Sequence, residues 1–580
     1  MMTLAQTSYS IKLTKNKRTR YKIVISSSAS LSVIHAAEEL RSYLVRITGA
    51  VFDIIVDTSS RGEFEILVGK SKHMDELATD IAWDNLGAEG FTIRTIEKSI
   101  IIAGSDIRGA LYGVYGFLEE YCGCRFLAED EIKIPERDEL FIPAIEDNTQ
   151  IPVFEHRDAY NGCYSDGDLY ARFKQNGDNG KLTEIHGGKE KYNLFCHSFK
   201  TFIPPAEYFR THPEYFAERD GKRVSDGQPC LSNPDVLEIV IEKVRERLRE
   251  DPAARIISVS QNDNQTYCQC EKCREIDEYE GSPSGSMIRF VNAVADAIKD
   301  EFPDVAVDTL AYQYTRRAPL HVKPRSNVVV RLCAIKCCNA HPLEECGRVY
   351  DAYNIPGITF RGDLEAWSKI SNRLYVWDYV VNFCHYLSPY PNLYVLQPNI
   401  KFYLKNNVKG IFSEGYTASR KDYAELNPLR HYLIAHLMWD PDFDVETGIN
   451  EFLAGYYGMA AGEIRNYIDL IHSMITPDIH IRMQDHPSDQ PYLTMEMCEK
   501  AGKIFDRAER LADNETILRR VKKLRLSVRY VELAKIPADD PTRRALAEEF
   551  ICDVRELGVG EYAEGCPIEN REPYILDGTF

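Results

Sequence analysis

Apolar and polar positions change their period twice along the chain, and each change marks a different kind of segment. Up to residue 148, short β-branched runs alternate with helical stretches. The runs are Tyr21–Ser26, Phe64–Val68, Gly90–Arg94 and Ser99–Ala103. A helix predicted over Ser32–Thr48 is closed by Gly49, the residue best suited to a left-handed cap. A second, Arg108–Tyr121, places Ala110, Leu111, Val114, Phe117 and Leu118 on one face. Together they predict a small α+β domain over 1–148, ending in the polar stretch between Pro143 and Pro152.

From 149 to 442 the pattern becomes strand, loop, helix. Strand-like runs fall at Phe154–Tyr160, Tyr192–Ser198, Arg255–Gln261, Val305–Tyr312, Asn327–Cys333, Arg373–Tyr379 and Lys409–Glu414. Helical stretches such as Pro234–Arg249 and Ser286–Glu301 lie between them. With an eighth strand sought in Gln228–Asn233, this predicts an α/β fold, a TIM-like (β/α)8 barrel. A doubly wound open sheet is disfavoured because no Gly-rich phosphate loop follows any strand. Residues 443–580 read as a helical domain, with 3.6-residue periodicity over Val445–Tyr457, Ala461–Met474, Thr494–Ala512 and Asn514–Ala534.

Composition narrows the function. At 580 residues with 44% apolar and 27% charged side chains, the chain can bury large cores and is neither fibrous nor disordered. Seventy Lys plus Arg against 89 Asp plus Glu leave a net charge of -19, the wrong sign for nucleic acid or anionic lipid. No long apolar run or signal-like start is present, so the expected location is cytoplasmic; a chain trimmed of its signal peptide would read the same way.

In a barrel the reacting groups stand at the carboxyl ends of strands, so carboxylates that follow apolar runs are the first candidates. Four qualify: Asp158, Asp263, Asp378 and Glu414. Asp263 lies where RIISVSQNDN empties an apolar strand into Gln261, Asn262 and Asp263. It reads either as a proton carrier beside a hydrogen-bonding amide or as an Asx-turn residue. Glu414 ends GIFSEG, between glycines that admit a close approach, and reads as a site carboxylate or a loop residue. Asp378 sits between Trp377 and Tyr379, aromatics that suit a sugar-binding wall and equally suit a core. Two facing carboxylates are the minimum for glycosidic bond cleavage. GxSxG, HExxH and Walker A patterns are absent, which disfavours serine hydrolase, zincin and NTPase chemistry.

Seven of the sixteen cysteines crowd two stretches: Cys268, Cys270 and Cys273, then Cys333, Cys337, Cys338 and Cys346 with His341. Three readings stand: a structural zinc, with Cys268, Cys270, Cys273 and Cys337 as candidate ligands; disulfides joining the two stretches in an exported protein; or free thiols. No cofactor is expected for catalysis.

The AAEELRSYL helix, Thr48-Gly49 and RGALYGVYGFLEEYCGCRFL resemble the domain preceding the barrel in family 20 hexosaminidases and α-glucuronidases. SVSQNDNQTYCQCEKC, GSPSGSMIRFVNAVADAI, DTLAYQYT, RLYVWDYVVNF, PNLYVLQPNI and GIFSEG resemble the bacterial domain of unknown function 4838, the core of glycoside hydrolase family 163. That resemblance implies a retaining endo-β-N-acetylglucosaminidase acting on N-glycans, in which the substrate's 2-acetamido group attacks to form an oxazoline. On this template Asp263 matches the acid/base position and Asn262 the residue that orients the acetamide. Family 20 carries Asp-Glu there, against Asn-Asp here, which makes Glu414 the rival acid/base. Tyr312, Tyr314, Trp377, Asp378, His197 and Asp158 are the expected substrate-binding residues. The implied partner is an oligosaccharide or glycoprotein N-glycan. Alternatives are a uronidase, an exo-hexosaminidase, or a carbohydrate-binding protein without catalysis; a uronate would call for basic residues near the strand ends, where Arg157 and Arg331 are the nearest.

Overall fold

The computed structural model describes residues 10–346, 359–417 and 425–579. They form two compact units, which divide the chain at several points. The first comprises Met1–Val153, Tyr164–Lys189 and Glu446–Gly458. Its main sheet runs in the order Asn148–Gln150, Phe91–Ile96, Ser99–Gly104, Glu65–Val68, Lys22–Ile25, Asp53–Val56. The two predicted helices are Leu31–Thr48 and Gly109–Glu120. Ser30 caps the former by accepting a bond from the Val33 amide, and Gly49 ends it at φ 68°. The Gly109–Glu120 helix is buried almost all round, as its glycines and apolar residues require.

The second unit, Phe154–Cys163, Glu190–Val445 and Met459–Phe580, is built on seven parallel strands. In chain order they are β1 (His156–Tyr160), β2 (Tyr192–Asn193), β3 (Ile256–Ser258), β4 (Ala306–Ala311), β5 (Val328–Cys333), β6 (Leu374–Tyr379) and β7 (Val408–Glu414). Spatially the order is β1-β7-β6-β5-β4-β3-β2. All seven predicted runs are strands of this sheet. The eighth is not: Gln228–Asn233 forms no strand, its one β-bridge linking Pro229 to Phe216, and β1 and β2 do not pair among the described residues. The barrel is therefore a curled seven-stranded sheet with an opening between its first two strands.

The strands hold because both faces are covered, which lets continuous apolar runs such as VVVRLC be buried along their whole length. Helix Pro234–Glu250 shows the covering: Asn233 and Pro234 open it, and Val236, Val240, Val244 and Leu248 form its buried stripe. Helices Ala461–Ser473, Met495–Leu511, Glu515–Lys535 and Arg543–Glu556 follow, within the same unit. A hairpin of Glu561–Ala563 and Cys566–Pro567 comes next. No described helix is long and apolar enough to cross a membrane.

Candidate active site

Parallel strands in register point paired residues to the same face. Arg331 pairs with Tyr375, Trp377 with Phe412, and Asp158 with Phe412, so Asp158, Arg331, Trp377, Phe412 and Glu414 share one face. That face is concave. The Phe195 ring, just beyond β2 at one end of the sheet, lies 4.9 Å from that of Phe412 of β7, the ring planes inclined at 70°, and 5.5 Å from that of Trp377 of β6. Only a curled sheet brings these strands together.

On this face Arg331 is 1% exposed and its Nη2 donates to Asp308 Oδ1 of β4 at 2.7 Å. Its guanidinium lies over Phe195 at 4.3 Å and over Tyr192 and Trp377 at 5.1 Å each. The pair closes the floor beneath the strand ends with a cation whose charge is met. Replacing Arg331 by Met should destabilise the protein by about 3–5 kcal/mol, because Asp308 would stay buried without its partner. Thermal denaturation should show that loss, and a double Arg331→Met, Asp308→Leu variant should recover most of it; a single variant as stable as wild type would refute the argument.

Above this floor stand two carboxylates. Trp377 Nε1 donates to Glu414 Oε2 at 2.8 Å. Burial pushes the Glu414 carboxyl up to about 8; the indole bond and Arg331 pull it down and the negative charge of Glu564 pushes it further up. Glu414 is thus a protonated carboxylic acid at neutral pH. Asp263, on the loop after β3, is exposed, and its Oδ1 accepts from Tyr312 hydroxyl at 3.1 Å and Gln313 Nε2 at 3.3 Å. The fully buried Gln261 holds that loop to the end of β4, donating to Tyr312 carbonyl and Thr315 Oγ1. His197, in a left-handed conformation at φ 51°, has Nδ1 2.8 Å from the Gln261 carbonyl, so Nδ1 carries the proton and Nε2 is left as an acceptor in the neutral ring. Burial pushes the nearby Cys196 thiol up to about 11, which removes it as a nucleophile.

The model of a domain of unknown function, DUF4838, matches residues 126–469. The chain belongs to the DUF4838 family. In this DUF4838 protein, residues 8–117 also match the glycosyl hydrolase family 67 N-terminus. No curated protein matches it. Among solved structures, the DUF4838 chain is similar to a family GH115 4-O-methyl-α-glucuronidase with specificity for decorated arabinogalactans, at TM-score 0.63 and 12% identity, over 98% of this chain and 80% of that one. A mutant Streptomyces plicatus β-hexosaminidase in complex with GlcNAc matches at TM-score 0.42 and 12% identity, over 77% and 91%. The first likeness shows a shared fold, that of TIM-barrel glycosidases.

The remaining expected residues of the DUF4838 chain are distributed less simply. Tyr312 meets Asp263 directly, and Asp158 lies deep on the concave face, where its charge and that of Glu414 act on Tyr160. Asp378 does not join them. One residue out of step with Trp377, it faces the helix-covered side, where its oxygens accept from the Tyr379 amide and from Tyr403 of helix Leu393–Lys405. Tyr314 is buried with its ring stacked on Tyr267 at 4.8 Å, a packing residue of the loop and not a wall of the cleft. Asn262 is tied to two neighbouring segments: Oδ1 accepts from the Lys200 amide and Nδ2 donates to Gly227 carbonyl. The two cysteine stretches do not combine either. Cys268, Cys270 and Cys273 meet Cys230, whereas Cys338 and Cys346 with His341 meet His480. Cys337 stands outside both groups, buried beside Arg316.

One carboxylate escaped the sequence reading altogether. Glu564 sits at the turn of the C-terminal hairpin, its amide donating to the Phe383 carbonyl at 2.8 Å just beyond β6. The hairpin is also held by Tyr386 amide to Tyr562 carbonyl and by Tyr416 hydroxyl to Glu561 carbonyl. Burial raises the Glu564 carboxyl, and the charges of Asp263 and Glu561 raise it further. No strand-end pattern marks it, because it arrives from a segment outside the parallel sheet.

Proposed function

We propose that the protein is a retaining glycoside hydrolase in which Glu414 serves as acid and then base and Asp263 is the second carboxylate. The observation that carries this reading is Glu414: a half-buried carboxylic acid, oriented by Trp377 and protonated up to about pH 8, beside a cleft that also holds the exposed Asp263. The substrate proposed is a β-linked N-acetylglucosaminide within an N-glycan, cleaved internally, as the resemblance to family 163 implies.

In this mechanism Glu414 gives its proton to the glycosidic oxygen as the bond from that oxygen to C1 breaks. The substrate's acetamido oxygen bonds to C1 and forms an oxazolinium ion, whose N–H stays on nitrogen and donates a hydrogen bond to the Asp263 carboxylate, which opposes the positive charge. Water then attacks C1, the oxazolinium ring opens, and Glu414 takes the water's proton. The roles differ from those implied by sequence, where Asp263 is the acid and Asn262 the orienting residue. Asn262 has both side-chain polar atoms committed to backbone groups, which supports moving the orienting role to Asp263 and the acid/base role to Glu414. A uronate is less well suited, since Arg331 is neutralised by Asp308 and the cleft already holds the carboxylates of Asp263 and Glu564.

The test is incubation with a panel of N-glycoproteins and mass spectrometry of both products. Release of intact glycans, leaving one N-acetylglucosamine on the asparagine, is expected. Removal of terminal monosaccharides alone would overturn the internal cleavage, and release of uronic acid alone would overturn the substrate class.

A further inference from the structure

We propose that the chain carries two structural zinc ions, one held by Cys230, Cys268, Cys270 and Cys273 and the other by Cys338, His341, Cys346 and His480. In each group the four ligand atoms all lie within 4.8 Å of one another.

The spacing within the first group selects metal over disulfide. Cys230 Sγ is 3.7 Å from Cys270 Sγ and 3.9 Å from Cys273 Sγ. A bonded pair needs about 2.05 Å. A tetrahedron with zinc–sulfur bonds of about 2.3 Å has edges of about 3.8 Å. Four thiolates around Zn²⁺ carry excess negative charge, and the surroundings answer it. Arg223 Nη1 approaches Cys268 Sγ at 3.7 Å, and the Glu218 amide donates to the same sulfur at 3.4 Å. Cys270 is the N-cap of helix Glu271–Glu280 and Cys273 lies in its first turn, where the helix dipole favours thiolate. Ser232 Oγ lies 3.1 Å from Cys273 Sγ. A closed set of four sulfurs has no open position for substrate, so the ion is structural.

The second group stands on its own evidence. Cys338 Sγ lies 3.5 Å from His341 Nδ1 and 3.3 Å from His480 Nδ1, and Cys346 Sγ lies 3.7 Å from His480 Nδ1. The sulfur–nitrogen edge of a zinc tetrahedron is about 3.5 Å. His341 Nε2 is 3.2 Å from the Thr476 carbonyl, which can only accept, so Nε2 holds the proton and Nδ1 presents its lone pair to the metal. His480 comes from the segment after helix Ala461–Ser473, whose Ile481 carbonyl accepts from the Asn339 amide. A third cluster, His35, Asp168 and His186, has no fourth ligand among the described residues, and its rings are taken up by Asp168 and, for His186 Nδ1, by Thr183. It is a hydrogen-bond network.

The first ion would lock the loop that carries Asp263. That loop is already joined to the stretch before helix Pro234–Glu250, since Gln228 donates to the Asn262 and Asn264 carbonyls and Gln269 amide donates to Glu218 carbonyl. The second would clamp the loop after β5 to the helical segment.

Full-length protein from zinc-replete cells, dialysed against metal-free buffer, is to be assayed by plasma mass spectrometry and zinc-edge X-ray absorption. About two zinc ions per chain are expected, with sulfur and nitrogen neighbours in a ratio of about three to one. Cys273→Ser should leave about one zinc with a mixed sulfur–nitrogen shell, and His480→Ala about one with sulfur alone. If either variant fails to fold, the absorption spectrum of the unaltered protein decides. Metal-free protein, iron in place of zinc, or a shell poorer in sulfur than in nitrogen and oxygen would each overturn the proposal.

Discussion

Glu414→Gln is expected to lower kcat/KM on an N-glycan by about 10²- to 10⁴-fold, the usual worth of a positioned general acid, while making the protein more stable. Both effects follow from the same burial. In the unfolded chain the carboxyl titrates near 4.5, whereas in the folded protein it titrates near 8. A raised folded value means that the stability linked to this proton is present below pH 4.5 and is lost as pH rises to about 8. Near pH 7 the cost is about 3 kcal/mol, from roughly 2.5 pH units at 1.36 kcal/mol each. Glutamine carries no proton to lose, and its oxygen can still accept the Trp377 bond. The variant should therefore unfold at a higher temperature than wild type at pH 7 and at nearly the same temperature at pH 4. Wild-type activity should fall tenfold per pH unit above about pH 8 as the acid ionises, a limb the variant lacks. A variant less stable than wild type at pH 7, or fully active, would sink the assignment.

Asp263→Asn is expected to cost activity of the same order with almost no change in stability. The side chain is exposed, and asparagine keeps an oxygen for Tyr312 and Gln313, so unfolding midpoints should agree to within about 0.5 kcal/mol. What is lost is the full negative charge opposite the developing oxazolinium. An oxazoline-mimicking thiazoline should inhibit the wild type and bind the variant far more weakly. If the wild type ignores the thiazoline while azide rescues the variant, Asp263 is a direct nucleophile and the substrate-assisted route is wrong. Full activity in the variant would remove Asp263 from the chemistry.

Much of this was legible in the sequence, for physical reasons that also explain the gaps. Strands buried on both faces write themselves as continuous apolar runs, and all seven could be read. Gln228–Asn233 has no such run; its residues are spent on a Gln228 latch and on Cys230, so the expected eighth strand was a loop. Asp263 and Glu414 were visible because one lies on the loop that an apolar strand empties into and the other ends a strand. Asp378 follows the same rule and misleads, since alternation along a strand sends neighbours to opposite faces and only pairing reveals which face is concave. Cys230 and His480 could not be assigned by spacing, because each reaches its group from a distant segment.

Glu564 carries that lesson into folding. Asp263, Glu414 and Glu564 belong to three segments widely separated along the chain, and the electrostatic state of the cleft depends on all three. Closing such long loops costs chain entropy before any contact repays it. Without the docked hairpin Glu414 would lack the neighbouring charge that helps to hold its proton. The acid therefore has its full proton affinity only in the form in which the hairpin is docked.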